Sequence, residues 1–302
     1  MKRKKFQMNR VKPFTNVCFN ALFAILAACA ILPFLFVIVI SLSSEMSIAR
    51  VGYTFFPEQW SLDAYRILFE QKSTIFNAFL ISVLVTVLGT IFGLCLTTSM
   101  GFCLSRPNFK LKSFYTWVIF IPMLFGGGLV ASYVINSQIL GLSNTLWILI
   151  LPLGVSSYNI VICKTYFKSS VPEGIVESAV IDGASQLRTF LSIVVPISKP
   201  LFATIALFLC FGYWNDWFTS SLYITDRNLV SLQALLNNIL RTVEYIANNP
   251  TAGVSLQQYK ETLPKETTRM AIAVVIVIPI ACAYPFFQRY FISGLTIGAV
   301  KG

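Results

Sequence analysis

Glu177 and Asp182 sit five positions apart in Glu177-Ser178-Ala179-Val180-Ile181-Asp182, and Gly183 and Ala184 follow directly. Paired carboxylates can serve general acid–base chemistry, but the chain contains no histidine to share that work. The surrounding residues suit a different task. Ser170-Val171-Pro172-Glu173 matches a capping box with proline in the first turn, which predicts a helix start. Gly183 tolerates the left-handed conformation and predicts its end. At helical spacing Val176, Ala179, Val180 and Gly183 share one face, a small smooth apolar patch beside an acid. Ser185 is placed to start a second short helix that ends at Pro196 and Pro200. A helix lying on lipid headgroups is the alternative. This one carries no Lys or Arg, and its carboxylates would face anionic lipid, so a protein partner accounts for it better.

A second group is Trp214-Asn215-Asp216-Trp217. Aromatic faces stack on sugar rings and carboxylates accept hydrogen bonds from hydroxyls, which makes these four residues candidates for a solute path. Exposure of Asp216 to water, or its capping of a neighbouring helix, stays open as the other reading. Gly126-Gly127-Gly128, shortly after Pro122, reads as a kink, as tight helix packing, or through Gly127 as a substrate contact. The seven cysteines (Cys18, Cys29, Cys95, Cys103, Cys163, Cys210 and Cys282) form no C-x-x-C pair. They are expected to pack as small apolar residues among helices, with neither a disulfide framework nor a metal site. No G-x-x-x-x-G-K-[ST] occurs, so the chain has no P-loop for ATP.

The elements that must position these residues are written in the apolar pattern. Of 302 residues 56% are hydrophobic and 12% charged, and the mean hydropathy is +0.73. That is too apolar for one globular core and predicts a lipid-facing protein. The net charge of +11 does not point to nucleic acid, because it lies in short stretches between apolar runs with no aromatic-interleaved basic face. Charge-free runs of 32, 33 and 51 residues precede Glu45, Arg106 and Lys164. The longest would make one helix of roughly 75 Å, so it must fold back, with Asn136 to Asn144 as the turn. The expected fold is an all-α polytopic membrane protein with six transmembrane helices near 17–42, 74–104, 113–135, 145–167, 200–223 and 270–288. A basic N-terminus (1–16) precedes a single transmembrane domain (17–302). The first apolar run is too long for a signal peptide and reads as a retained helix. Placing the N-terminus inside gives a net +12 on one side and −1 on the other. The positive-inside rule then puts both termini and the 168–199 loop in the cytoplasm of a bacterial cell, with 44–73 and 224–269 outside.

Glu177-Ser178-Ala179-x-x-Asp182-Gly183-Ala184, followed by Phe190, Pro196 and Pro200, resembles the EAA motif of binding-protein-dependent ABC importer permeases. Asn215-Asp216 within its tryptophans, and the ending Tyr284-Pro285-Phe286-Phe287-Gln288-Arg289-Tyr290-Phe291 with Gly294-Leu295-Thr296 and Gly298 to Gly302, are similar to the carbohydrate-importing branch, the maltose-type permeases. The Gly126–Gly128 region is similar to permeases for complex oligosaccharides. Ser178 stands where the motif usually has Ala. The resemblance implies a type I importer fold and a coupling helix seated in a cleft of a separate cytoplasmic ATPase dimer. Glu177 would be the polar anchor, Ala179 and Ala184 would allow close approach, and Gly183 would make the turn. It implies a second permease subunit, an extracellular solute-binding protein and a sugar or oligosaccharide cargo. ATP and Mg would bind the ATPase, so this chain needs no cofactor. The alternatives are a permease for another polar solute, an ion-coupled secondary transporter, which would need buried ionisable groups near the bilayer midplane where the first four spans and the sixth have none, and a membrane-embedded enzyme.

Overall fold

The computed structural model describes residues 13–70, 72–248 and 266–298. The first twelve residues of the basic N-terminus, residues 249–265 of the second long segment and the last four residues of the C-terminal signature lie outside the described residues. The chain divides into two compact units.

The first unit comprises residues up to Glu70 together with the start of the last helix. α1 (Pro13–Ser41) is apolar on every side. Its side chains are almost all exposed, as expected of a helix whose solvent is lipid. α2 (Glu45–Val51) is capped by the Ser44 hydroxyl, which accepts the Ser47 amide, and ends at Gly52 with φ 78°. α3 (Asp63–Glu70) follows an isolated antiparallel bridge between Ser43 and Trp60. The last helix, α14 (Glu266–Gly298), begins in this unit. Its free N–H groups are met by Glu45, whose carboxylate accepts the Glu266 amide at 3.2 Å, the Thr267 amide at 3.3 Å and the Thr267 hydroxyl at 2.9 Å.

The second unit is built on α4 (Lys72–Ser105). Around it run α5 (Lys112–Leu124), α6 (Leu129–Ile139), α7 (Leu146–Gly154) and α8 (Ser157–Ser170). Next come α9 (Glu173–Ile181), α10 (Gln186–Ile197), α11 (Lys199–Trp214), α12 (Phe218–Tyr223) and α13 (Leu232–Asn248). Glycines let the neighbours of α4 approach its backbone. A Cβ on Gly93 would lie 2.7 Å from the Gly154 carbonyl oxygen, one on Gly89 would meet the Tyr213 ring, and one on Gly101 the Cβ of Cys163. Van der Waals contact of this kind drives helix association in lipid, where the hydrophobic effect contributes little. The buried centre is aromatic: Phe102 packs on Phe167 and Phe190 at 5.9 and 5.0 Å between ring centroids.

By length and composition the described residues hold three helices able to cross a membrane, and up to six spans when each bent pair counts as one. Three are long helices, α1, α4 and the Glu266–Pro285 part of α14. The others are bent: α5 and α6 meet at 119°, α7 and α8 at 47°, and at the last bend α10 turns 88° away from the apolar α11 and joins α9 in a corner. Each break coincides with residues that cannot continue a helix cheaply. Gly128 has φ 80° after Pro122, Pro152 and Gly154 end α7, and Pro196 and Pro200 flank Ser198.

Several expectations need correction. The third span is two helices at a steep angle rather than one. The turn after it starts at Leu140, because α6 continues through Ile139 with a last π-helical turn. The fifth span ends at Trp214, and 215–217 form a turn before α12, so Asp216 lies in that turn and not within a span. Ser170 closes α8 and does not cap α9, whose N-cap is Pro172 without a side-chain bond. Of the cysteines only Cys163 is buried and Cys210 half-buried; the other five are exposed.

Candidate functional site

α9 and α10 form a corner between the α7–α8 and α11 spans. Gly183 has φ 81°, the Ala184 amide donates to the Ala179 carbonyl at 2.9 Å, and the Gly183 amide donates to the Val180 carbonyl at 3.0 Å. These two bonds satisfy carbonyls that the end of a helix would leave open, and they require the left-handed residue between. Ser185 then caps α10 by accepting the Arg188 amide at 3.2 Å.

The face of α9 is divided differently from the sequence expectation. Val176 and Ala179 are buried against this chain's own core, so the small size of Ala179 serves packing of α9 onto its bundle. Val180 is exposed, and the most exposed apolar side chains at the corner are Ile181 at 84% and Leu187 at 67%. Neither Ile181 nor Leu187 was singled out by periodicity, because an isolated apolar residue beside a turn has no period to reveal it. Ala184 is half-buried. Glu177, Ser178, Asp182 and Gly183 are exposed, and the Ser178 hydroxyl folds back to the Gly174 carbonyl at 2.7 Å. Serine in place of alanine is therefore satisfied within its own helix.

Glu177 lines a cleft of about 630 Å³ with Glu173, Val180, Ile181, Gln186 and Arg106. Arg106 follows the end of α4, and its guanidinium lies 4.9 Å from the centroid of the Phe102 ring. Burial pushes the Arg106 pKa down, and the nearby Glu173 carboxylate works against that. The cleft thus has one basic wall and one acidic helix.

The other candidates lie apart from this corner in sequence and in their elements. Asp216 accepts the Thr219 amide at 3.1 Å through Oδ1 and so supports the start of α12. Asn215 donates to the Phe211 carbonyl at 2.9 Å. Trp214 is buried; Trp217 is half-exposed, with the Arg241 guanidinium 5.5 Å from its ring centroid. Gly127 is exposed, and a Cβ at Gly126, Gly127 or Gly128 would meet nothing within 4 Å. The triplet therefore breaks the span; close helix packing finds no support there among the described residues. No group of three or more His, Cys, Asp or Glu among the described residues could hold a metal ion.

A bundle of apolar spans broken at proline and glycine, with a glycine-closed helix corner set between two of them, is the architecture of a multi-pass transport permease. The chain belongs to the family of binding-protein-dependent transport system inner membrane components, whose model matches residues 89–297. It is 35% identical over 287 residues to protein LplC of Bacillus subtilis, covering 95% of each chain. It is 34% identical to the polygalacturonan/rhamnogalacturonan transport system permease protein YtcP of the same organism, covering 97% of this chain and 99% of that one. The fold matches a chain of a bacterial ABC transporter involved in import of the acidic polysaccharide alginate, with a TM-score of 0.77, 24% identity and coverage of 96% and 100%. The protein is a membrane subunit of a transport system rather than an enzyme.

Proposed function

We propose that this chain forms half of the translocation pathway of an ATP-driven importer for a sugar or oligosaccharide. An extracellular solute-binding protein delivers the cargo, a second permease of different sequence completes the pore, and a cytoplasmic ATPase dimer supplies the energy. The observation that carries this reading is the α9–α10 corner: Glu177 exposed, Ile181 and Leu187 projecting, and the turn fixed at Gly183. Ile181 and Leu187 enter an apolar cleft of the ATPase, Glu177 meets a basic group there, and closure of the ATPase dimer is passed through buried Val176 and Ala179 to the bundle. ATP and Mg belong to that partner. The oligosaccharide cargo is supported by the polygalacturonan/rhamnogalacturonan assignment of the relative YtcP.

In this arrangement both termini and 168–199 face the cytoplasm. Single cysteines in a background without the native ones test it. Ser47 is buried and unsuited as a reporter, whereas Met46 is 64% exposed. A membrane-impermeant maleimide should modify Met46→Cys in intact cells and spare Ser185→Cys. Modification of position 185 would overturn the orientation. Copurification of a second permease and an ATPase, with uptake that needs ATP and no ion gradient, separates this reading from an ion-coupled carrier.

A further inference from the structure

Between Arg50 and Glu58 the chain reads Val51-Gly52-Tyr53-Thr54-Phe55-Phe56-Pro57, a stretch without a charge that holds three aromatic residues. It opens the connection from α2 to α3 and is pinned at several points. The Thr54 hydroxyl donates to the Phe56 carbonyl at 3.1 Å, and the Glu58 amide donates to the Ser47 hydroxyl at 3.0 Å. The Ser44 amide donates to the Gln59 carbonyl at 2.9 Å, and the Ser61 amide to the Leu42 carbonyl at 2.8 Å. This ordered loop nevertheless turns its aromatic side chains outward. Phe56 is 89% exposed, Trp60 61% and Tyr53 52%.

Its position says what covers those rings. Phe55 packs on Phe36 of α1, with ring centroids 4.6 Å apart. Phe36 lies five residues before the end of α1 at Ser41, which is about 7.5 Å of helix. The loop therefore doubles back alongside α1 and does not stand off from its end. Near that level Phe34, Leu35 and Ile38 of α1 are exposed, on a helix whose solvent is lipid. The aromatic surface of the loop continues this lipid-facing surface. A soluble partner would have to reach below the end of α1 to touch it. In water an exposed phenyl ring is unfavourable, whereas aromatic side chains gather at the boundary between hydrocarbon and water. Arg50 and Glu58, which bound the uncharged stretch, are both exposed, as charges at headgroup level should be.

We propose that the 53–56 loop, with Trp60 beside it, is an anchor seated in the lipid interface. Phe55 and Phe56 lie among the ends of the acyl chains, while Arg50 and Glu58 stay with the headgroups. The anchor holds α2 at a fixed depth. Because the Glu45 carboxylate of α2 meets the first amides of α14, the loop also sets the depth at which the last span begins. The contact with lipid follows from the path of the loop along α1. Its assignment to the outer leaflet rests on the orientation proposed above.

The test uses the complete importer in nanodiscs of phosphatidylcholine and phosphatidylglycerol. A nitroxide is placed on Phe56→Cys or Glu58→Cys, each in a background without the native cysteines. Both side chains are exposed, so neither change disturbs packing within the chain. Power saturation compares relaxation by oxygen, which concentrates in lipid, with relaxation by a nickel chelate, which stays in water. Oxygen should dominate at position 56 and nickel at position 58, and adding the solute-binding protein should change neither. Nickel access at position 56 equal to that at position 58, with or without the binding protein, would overturn the anchor. Nickel access at position 56 that is lost only when the binding protein is added would give the surface to that protein and overturn the anchor as well. Lipid contact at position 56, combined with a Met46→Cys that an impermeant maleimide cannot reach in intact cells, would uphold the anchor and overturn only the orientation.

Discussion

Tyr213 donates its hydroxyl to the Ile150 carbonyl at 2.6 Å, and its ring occupies the space that a side chain on Gly89 would need. One residue thereby ties α11 to α7 and to α4. Gly89→Val should force the ring aside and destabilise the permease by about 1–3 kcal/mol, the usual cost of overpacking. Tyr213→Phe loses only the hydrogen bond and should cost about 1 kcal/mol. Thermal unfolding of the purified complex checks both; equal midpoints for the wild type and Gly89→Val would contradict the packing.

Glu45 holds the start of α14 through three hydrogen bonds. Glu45→Ala should lower stability by about 1–2 kcal/mol, as for loss of a helix cap with its charge–dipole contact. Glu45→Gln retains an acceptor and should fall between alanine and the wild type. The same unfolding assay ranks the three, and an alanine variant as stable as the glutamine variant would dismiss the cap.

Asp216 offers a clean separation of structure from transport. Asparagine is as good a cap as aspartate, so Asp216→Asn should preserve α12 while removing the charge. Asp216→Ala should destabilise by about 1 kcal/mol. Reduced uptake in a stably assembled Asp216→Asn importer would assign the carboxylate to the solute path. Uptake equal to the wild type would leave it with the cap seen at Thr219.

Much of this architecture is legible in the sequence, because charge is so costly in lipid that uncharged runs mark the spans directly. The Gly183 stop and the Ser185 cap are equally legible, each being a local rule with one dominant residue type. What the pattern does not reveal is which side of a short helix its own bundle takes. Val176, Ala179 and Val180 are alike in type, and only tertiary packing buries the first two and leaves Val180 out. The breaks at Gly128 and Trp214 are hidden for a related reason: hydropathy counts residues across a bend as readily as along a straight helix. Glu45 and Thr267 are 222 positions apart, and no local spacing joins them.

Gly183→Val places a β-branched side chain at φ 81°. The strain should be about 1–3 kcal/mol, concentrated in the corner because a side chain there has open space around it. Membrane insertion should survive and ATP-driven uptake should fall, measured as transport normalised to permease in the membrane. Undiminished transport would show that the corner tolerates another turn geometry.

The central claim is that the α9–α10 corner passes ATPase closure to the pore, and Glu177→Lys tests it most directly. The change reverses the charge offered to the partner, replacing a charge-assisted contact of about 1.5–3 kcal/mol with repulsion. Glu177 is exposed and lies outside the spans, so the variant should insert normally. The measurement is ATP-dependent uptake in vesicles, with the copurifying ATPase quantified in the same preparation. The account predicts an inserted permease that either loses its ATPase or retains it without transport. Full ATP-dependent uptake with a normally bound ATPase would contradict it.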